Sequence, residues 1–280
     1  MGKVEHEFET QFVTAGSLLY SVEHRPWLPP DGHWLLSQSC NDQLMMHYAL
    51  EPALLRALVP EALTLELYDG AAWLSISTFC ASHVRPSGVP PLPGLSFFPQ
   101  LHLRTYVTLQ DRNGQPRPGV FYLSVDTANL SAVWLARVFF RMLYWHASIQ
   151  VKGATLGTRR PPDPWIHYRA LRLHGPSAES GPAALDLSCQ PQGEPARART
   201  GSLDEFLNER YCTYSWYRGR CYRTEVHHQP WPLQPVSVEV RSNTMGEPLG
   251  LKLAARPDLC HFSRTLKMLA WAPESLRLAR

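Results

Sequence analysis

The sequence contains very little lysine, which limits the covalent chemistry that the chain can carry out. Lysine occurs only at Lys3, Lys152, Lys252 and Lys267. A Schiff-base enzyme needs one desolvated lysine amine, whereas lysine side chains are usually exposed to solvent. Lys267 lies in a predicted strand and is the best placed of the four. Schiff-base chemistry therefore has weak support in this sequence.

The chain also lacks paired cysteines, a leader segment and long apolar runs. None of the cysteines at positions 40, 80, 189, 212, 221 and 260 forms a CxxC pair or matches a zinc spacing. A hairpin between Cys212 and Cys221 would place Cys212 opposite a residue near Glu225, which disfavours a disulfide. The first fifteen residues are charged, unlike a secretory signal, and no run approaches the ~18 apolar residues of a membrane span. We expect reduced thiols, a cytoplasmic location and no membrane partner.

Several motifs of established chemistry are missing as well. The formal net charge of +3 is too close to balance to favour a nucleic-acid partner. The sequence has no GxGxxG, GxxxxGK[ST], GxSxG or HExxH motif. His227 and His228 are neighbours, and neighbouring residues of a strand point to opposite faces, so they cannot share one ion. The sequence therefore predicts no cofactor, no metal site and no serine triad.

Proline, in contrast, is abundant and indicates the fold class. It accounts for 25 of 280 residues, about 9% against a typical ~5%. Frequent interruption favours short strands joined by loops over long helices. The clearest strand is 101–109, where apolar and polar residues alternate. The polar set on one face of this strand consists of His102, Arg104, Tyr106 and Thr108.

The remaining pattern predicts a β-rich α+β fold. Further strands are expected at 43–50, 63–68, 72–81, 119–126, 146–151, 165–173, 211–217, 220–228, 235–241 and 261–271. Asp69-Gly70 is typical of a hairpin turn. Segment 85–99 is expected to be loop, and segment 175–200 is expected to form a loose hairpin or an excursion of the chain. With no linker visible, we predict one domain over residues 33–275, preceded by an irregular arm over residues 1–32.

Three helices are expected beside this sheet. One covers 52–58, with Pro52 near its first turn, and one opens at the capping box of Ser202 and runs to Asn208. The third starts at Asn129 or Ser131 and runs to about Tyr144. It is apolar nearly all round, which predicts that it is buried.

Two sets of polar residues are candidates for a site. Arg137 and Arg141 are four residues apart on the third helix and share a face. Burial of an unpaired guanidinium is costly, so an acid such as Asp126 or a carboxylate-bearing ligand should meet one of them. Arg104 poses the same choice between an acid of the chain and a ligand. The polar strand face that carries Arg104 and Tyr106 either lines an interior or faces water. The aromatic residues of 211–231 serve either as packing or as the wall of a pocket.

The sequence resembles a known family at several of these places. The matching stretches are Arg104-Thr105-Tyr106-Val107, Pro118 to Asp126, Ala136-Arg137, Phe206 to Tyr211 and His228 to Leu233. Together they resemble the YqjF-like family, an uncharacterised bacterial family related to the acetoacetate decarboxylase-like superfamily. The resemblance covers about residues 34–271. It implies a curved antiparallel sheet that closes toward a cone or barrel, with flanking helices and an interior pocket.

The same resemblance shows where this chain departs from the decarboxylases. Their lysine pair follows the helix of this region, and Tyr144 and Trp145 stand at those positions here. A glutamate of their pocket corresponds to Gln100. Without the amine no Schiff base can form, so the decarboxylase mechanism is not implied for this chain.

Three functional hypotheses follow. The first is a protein that binds a small aromatic or carboxylate-bearing molecule in an interior pocket, lined or supported by residues Arg104, Tyr106, Arg137, Tyr144 and His146. The second is a lysine-independent enzyme, lyase or hydrolase-like, that acts on a small keto or aromatic compound with Tyr144 or His146 as acid or base. The third is a structural or interaction protein with a filled core and an apolar surface patch.

Overall fold

The computed structural model describes residues 15–153, 164–176 and 181–276. Fourteen strands lie within these ranges, numbered in chain order. They are β1 (Leu36–Leu50), β2 (Thr64–Leu65), β3 (Leu67–Tyr68), β4 (Ala71–Pro86), β5 (Phe98–Gln110), β6 (Pro116–Thr127), β7 (Tyr144–Lys152), β8 (Ile166–Arg172), β9 (Ala184–Pro191), β10 (Cys212–Tyr217), β11 (Arg220–His228), β12 (Val236–Asn243), β13 (Leu259–Ala270) and β14 (Glu274–Ser275).

Short helices connect or cover these strands. They are α1 (Ala15–Leu19), α2 (Pro52–Arg56), α3 (Leu130–Leu135) and α4 (Leu203–Asn208), together with a π-helical turn (Ala136–Phe140) that continues α3 and a 3-10 turn (Glu247–Leu249). The side chain of Ser202 caps α4 as predicted, because its hydroxyl accepts the backbone N–H of Glu205. No helix within the described ranges has the length and apolarity to cross a bilayer.

Seven of the strands form a closed ring. In spatial order they are β1, β4, β5, β6, β10, β11 and β13, and β13 pairs again with β1. All these pairings are antiparallel except that of β6 with β10, which is parallel and short. The expected curved sheet therefore closes on itself, and each strand of the ring has an inner and an outer face.

A four-stranded arm covers the outer face. Strand β7 continues the sheet from the end of β6, and β8, β9 and β12 follow it in antiparallel order. The main core lies between this arm and strands β1, β4 and β5 of the ring, with Leu44, Leu74 and Leu103 packed against Tyr168 and Leu187. Their sequence neighbours Met45, Ser75 and Arg104 consequently point into the ring.

The third predicted helix differs from the expectation in length and burial. Its α-helical part ends at Leu135, and the π-helical turn ends at Arg141, whose φ is 55°. The side chains Leu130 and Trp134 are each 62% exposed, and Phe139 is 50% exposed. The helix lies on the surface beside one end of the ring, so the prediction of a buried helix is wrong. Because the helix is apolar on all sides, its sequence could not show which of its faces packs against the ring and which remains exposed.

Two segments expected to be irregular are partly ordered. Strand β9 lies within 175–200, where Pro, Gly, Ala and Ser had indicated a loose hairpin or excursion without a defined strand. It is held between β8 and β12, so tertiary pairing overrides its weak local preference. The N-terminal segment 1–32 was expected to be irregular. Its residues 1–14 lie outside the described residues, and α1 packs against Leu269 and Trp271.

The hairpin of β10 and β11 has the predicted register. Cys212 lies opposite Glu225, and all six cysteines are free. The thiols therefore contribute as small apolar groups, as at Cys212 and Cys221 in the cluster around Phe121 and Tyr214.

The closure of the ring requires a glycine at position 119. A Cβ built on Gly119 would lie 2.6 Å from the carbonyl oxygen of Cys212 and 2.9 Å from the ring of Tyr214. We expect Gly119→Ala to lower the free energy of unfolding by about 2 kcal/mol through overpacking. In Gly88→Ala, where nothing lies within 4 Å, only the positive φ is penalised, by about 1 kcal/mol. Urea denaturation of both variants checks this, and an equal loss would contradict the close approach of β6 and β10.

Candidate functional site

One row of polar side chains crosses the inner face of the ring. His47 of β1 lies opposite Ser75 of β4, Ser75 lies opposite Arg104 of β5, and Arg104 lies opposite Tyr122 of β6. The four residues are therefore neighbours on one face, although the chain separates the first and the last by 75 positions. We refer to them below as the inward row.

Arg104 is the charged member of the inward row, and no acid balances it among the described residues. Its Nε is buried without a hydrogen-bond partner, and its Nη2 lies 4.0 Å from the sulfur of Met45. None of the described ion pairs includes it. An unpaired guanidinium is costly to bury. Its five N–H donors are suited to a planar carboxylate, so the inner face can take up a small anion.

The groups around Arg104 remain uncharged near neutral pH. Burial, together with the charge of Arg104, lowers the pKa of His102 to about 3 and the pKa of His47 well below its usual value. Burial raises the pKa of the Cys40 thiol to about 12 although Arg104 opposes this shift, and it also raises the pKa of Tyr122. The positive charge therefore has only neutral neighbours in this part of the ring.

A small cavity of about 80 Å³ opens between the ring and α3. Its polar lining comes from Gln38, Gln100, Ser131 and Tyr144, and its apolar lining includes Phe98 and Leu135. Gln100 and Arg104 share a face of β5, because they are separated by an even number of residues. A site for a drug-sized ligand usually has ~300 Å³ or more, so this cavity suits a molecule of only a few heavy atoms.

Tyr144 takes the position that the sequence comparison assigned to a lysine of the decarboxylases. It begins β7 and lines the cavity, and burial raises the pKa of its hydroxyl above the usual value. The next residue, Trp145, packs against Gly175 and under the guanidinium of Arg137, 5.3 Å from its ring centroid. No lysine of the described residues lines the cavity.

The other predicted site residues have different surroundings. Tyr106 is fully buried on the inner face, where its hydroxyl lies 2.6 Å from the Ser75 hydroxyl and donates to the carbonyl of Leu207. His146 follows on the same face of β7 as Tyr144, and its Nδ1 is buried without a hydrogen-bond partner. Neither residue lines the cavity, and Arg104 does not line it either.

Among the described residues Arg137 meets no acid, so the structure does not show the ion-pair alternative for it. Its guanidinium donates to the backbone carbonyl of Tyr144 at 2.6 and 3.1 Å, and Arg141 is exposed. Asp126 instead accepts two hydrogen bonds from Arg172, at 2.7 and 2.8 Å. Arg137 therefore supports the cavity by fixing the backbone at Tyr144, which its sequence spacing alone did not reveal.

A larger recess of about 640 Å³ lies outside the ring beside α4. Its main charged groups already have partners in the protein, since Arg210 donates to Glu66 at 2.5 Å and Arg25 pairs with Glu225 at 3.4 Å. The recess also contains Arg197, which takes part in none of the described ion pairs but is exposed to solvent, whereas Nε of Arg104 is buried without a hydrogen-bond partner. We therefore take the ring interior as the candidate site in spite of its smaller volume.

Sequence reasoning missed His47, Ser75, Tyr122 and Cys40 as members of the interior. The strands of these residues were predicted in part, but their partners across the ring follow only from register. The described residues contain no cluster of three or more His, Cys, Asp or Glu side chains that could hold a metal ion.

The family-level resemblance is confirmed by comparison with known proteins. The model of DUF2071, described as an uncharacterised conserved protein, matches residues 37–267. The uncharacterised protein YqjF of Bacillus subtilis (strain 168) is 35% identical over 242 residues, which is 86% of this chain and 93% of YqjF.

Solved structures confirm the predicted acetoacetate decarboxylase-like fold. The enduracididine biosynthesis enzyme MppR, complexed with the condensation product of pyruvate and imidazole 4-carboxaldehyde, has a TM-score of 0.60 at 13% identity and covers 92% of this chain and 94% of its own. MppR complexed with pyruvate has a TM-score of 0.56 at 14% identity, with coverage of 91% and 94%. Acetoacetate decarboxylase from Legionella pneumophila has a TM-score of 0.56 at 12% identity, with coverage of 92% and 94%. At these identities the likeness concerns the fold alone.

The absence of an acid partner predicts an unusual response to the removal of Arg104. We expect Arg104→Met to leave the free energy of unfolding unchanged or to raise it, because a partly buried charge without an acid partner among the described residues is removed. The control is Arg172→Met, which leaves the buried carboxylate of Asp126 without its partner. For this variant we expect the free energy of unfolding to fall by about 3 kcal/mol. Urea denaturation at pH 7 measures both, and a loss above about 2 kcal/mol in Arg104→Met would show that its guanidinium is structurally paired.

The depressed pKa of His102 predicts loss of stability in acid. Its folded pKa of about 3 lies below the ~6.5 of an unfolded histidine, so its stabilising contribution is complete above pH ~6.5 and is lost as the pH falls toward 3. Between pH 6.5 and 4 we expect His102→Gln to lose less stability than the wild type, by up to about 3 kcal/mol. Parallel stability curves in urea titrations over this range would refute the depressed pKa.

Proposed function

The chain belongs to the DUF2071 family, and we propose that it binds a small carboxylate-bearing molecule inside the ring, with the carboxylate on Arg104. The observation that carries this proposal is the guanidinium of Arg104, which has a buried, unsatisfied Nε and no acid partner among the described residues. Protein interiors rarely keep a buried charge without a counter-charge. A bound anion would supply that counter-charge and satisfy the free N–H groups at once.

The cavity beside α3 is not lined by Arg104, and we propose it as the entrance to the inner face, since Gln100 in its lining shares a face of β5 with Arg104. Its 80 Å³ leaves room for a few heavy atoms, with the amides of Gln38 and Gln100 and the hydroxyl of Tyr144 available as hydrogen-bond partners. Tyr144 therefore remains a proposed ligand-binding residue. Arg137 is a supporting residue, since it holds the carbonyl of Tyr144. Tyr106 and His146 remain candidates in the surrounding wall.

A structural neighbour suggests a probe. MppR has the same fold and was solved with pyruvate, a small 2-oxo acid. The missing lysine argues against an imine between pyruvate and this chain, so we expect noncovalent binding through the carboxylate. We also place the chain in the cytoplasm, because all six of its cysteines are free thiols, and we treat residues 33–275 as one domain.

Titration with pyruvate tests the proposal. We expect saturable binding to the wild type by isothermal titration calorimetry, and no binding of methyl pyruvate, which lacks the charged carboxylate. Arg104→Met should weaken pyruvate binding by at least tenfold, because one charge-assisted hydrogen-bonded pair contributes ~1.5–3 kcal/mol. The exposed Arg141→Met is the control and should bind as the wild type does.

Equal affinities of the wild type and Arg104→Met would reject the proposed role of Arg104. Saturable binding of methyl pyruvate with the affinity of pyruvate would likewise show that the site does not recognise a carboxylate.

A further inference from the structure

A group of large apolar side chains lies exposed on the outside of the molecule, around α3. It consists of seven residues that are each between 36% and 62% exposed. Two come from the loop before β5, and five come from α3 and the π-helical turn that continues it. They are Leu92, Leu95, Leu130, Trp134, Leu135, Val138 and Phe139. We refer to these seven residues as the apolar face.

Two observations show that the loop and the helix form one surface. The side chain of Asn129, which caps α3, also donates to the backbone carbonyl of Gly94 at 3.3 Å. Leu95 of the loop and Leu135 of the helix line the same small cavity of about 80 Å³. The two segments are therefore adjacent, and their exposed side chains are continuous with one another.

The helical part of the apolar face has the shape that packs against another helix. Leu130, Trp134 and Val138 follow one another at intervals of four residues and form one ridge, and Leu135 and Phe139 form a second ridge beside it. A groove runs between the two ridges. Ridges of this kind fill the equivalent groove of a second helix in the commonest class of helix packing. A helix with the same two ridges can therefore pack against this one.

The area of the apolar face is what one partner contributes to a stable dimer. A side chain of this size exposes roughly 150–250 Å² when it is fully accessible. Since the seven side chains are about half exposed, the face leaves roughly 500–800 Å² accessible. Monomeric proteins rarely expose a contiguous apolar patch larger than a few hundred Å². Two copies would bury roughly 1,000–1,600 Å² of apolar surface, which reaches the ~1,200–2,000 Å² of stable interfaces.

The charges of the two segments favour a second copy of the chain over a lipid surface. Residues 86–100 contain no charged side chain, and residues 127–143 contain only Arg137 and Arg141. Arg137 donates to the backbone carbonyl of Tyr144, so Arg141 is the exposed charge of these segments. Electrostatic attachment to an anionic membrane uses a cluster of about 4–8 basic side chains. These segments do not supply such a cluster, whereas an apolar face without acids or bases at its centre fits an identical face.

We propose that the apolar face is the interface of a homodimer, in which α3 of one copy packs antiparallel to α3 of the other about a twofold axis. The same surface then serves both copies, as in every isologous interface. The axis passes near Trp134, in the middle of the two ridges. Arg141 lies about 9 Å further along the helix, so the two copies of its side chain are about 18 Å apart. This distance exceeds the ~8 Å Debye length at physiological salt, and their repulsion is weak.

The oligomeric state of the full chain in solution tests this proposal. Sedimentation equilibrium of the wild type over a series of concentrations should give twice the chain mass of 31.8 kDa. Trp134→Glu removes an aromatic anchor and brings two like charges together at the axis, so the dissociation constant should rise at least ~30-fold. The matched control is Tyr20→Glu. It replaces an aromatic side chain that is 87% exposed and lies outside the apolar face, and it should remain a dimer.

A pair of opposite charges tests the position of the axis. Trp134→Lys should be as monomeric as Trp134→Glu. An equimolar mixture of the two variants should form a heterodimer, because opposite charges then meet across the axis. Since Trp134 is 62% exposed, we expect both variants to fold, and circular dichroism checks this. A mixture that stays monomeric would overturn the antiparallel arrangement.

Other results would overturn the interface itself. One is a wild type that sediments as a monomer at every concentration. Another is a Trp134→Glu variant that remains a dimer as the control does, since the two copies would then meet elsewhere. Co-sedimentation of a monomeric wild type with phosphatidylglycerol vesicles, lost in Trp134→Glu, would assign the apolar face to a membrane instead. No ligand is added in these measurements, so their outcome does not depend on the proposed function.

Discussion

Placing a guanidinium inside a protein ring is costly unless something balances its charge, and this constraint organises the interior. Arg104 faces His47, His102, Cys40 and Tyr122, all of which burial keeps neutral. Arg104 is partly exposed while these neighbours are mostly buried, so the electrostatic attraction for an anion is stronger there than at an open surface. Under the proposed function, a bound carboxylate would recover the free energy that the fold gives up at Arg104, as ligands often do at strained or unpaired groups of functional sites.

The architecture explains how such a charge is kept from bulk solvent. Seven strands close on themselves, the arm of β7, β8, β9 and β12 covers the outer face, and α4 packs against Tyr106 on the inner face. The small cavity opens beside α3, where Arg137 holds the carbonyl of Tyr144. A ligand that enters there meets amides and a phenol first, and Arg104 lies further along the same face of β5.

The sequence allowed prediction of those features that depend on local pattern. The alternation over 101–109 identified β5 and placed Arg104 and Tyr106 on one face, and Ser202 correctly indicated the start of α4. Strand β9 escaped detection because its residues have weak strand preference and are ordered by their neighbours. The surface position of α3 could not be predicted, because the sequence of a helix that is apolar on all sides does not indicate which face another element covers.

The contacts across the inner face could not be predicted for a different reason. His47 and His261 are separated by 214 positions in the chain, and no spacing rule connects residues whose contact depends on the register of β1 with β13. Arg137 shows the opposite case, since its spacing from Arg141 was visible but its partner was a backbone carbonyl, which has no signature in sequence. Cross-strand register, rather than motif, determines this site.

A crystal structure of the protein with pyruvate tests the central claim most directly. The account predicts that both carboxylate oxygens lie about 2.7–3.0 Å from the guanidinium nitrogens of Arg104, in a ring whose strands keep their present register. Pyruvate held at the outer recess beside α4, or a ring interior in which Arg104 has turned to an acid of the chain, would contradict it.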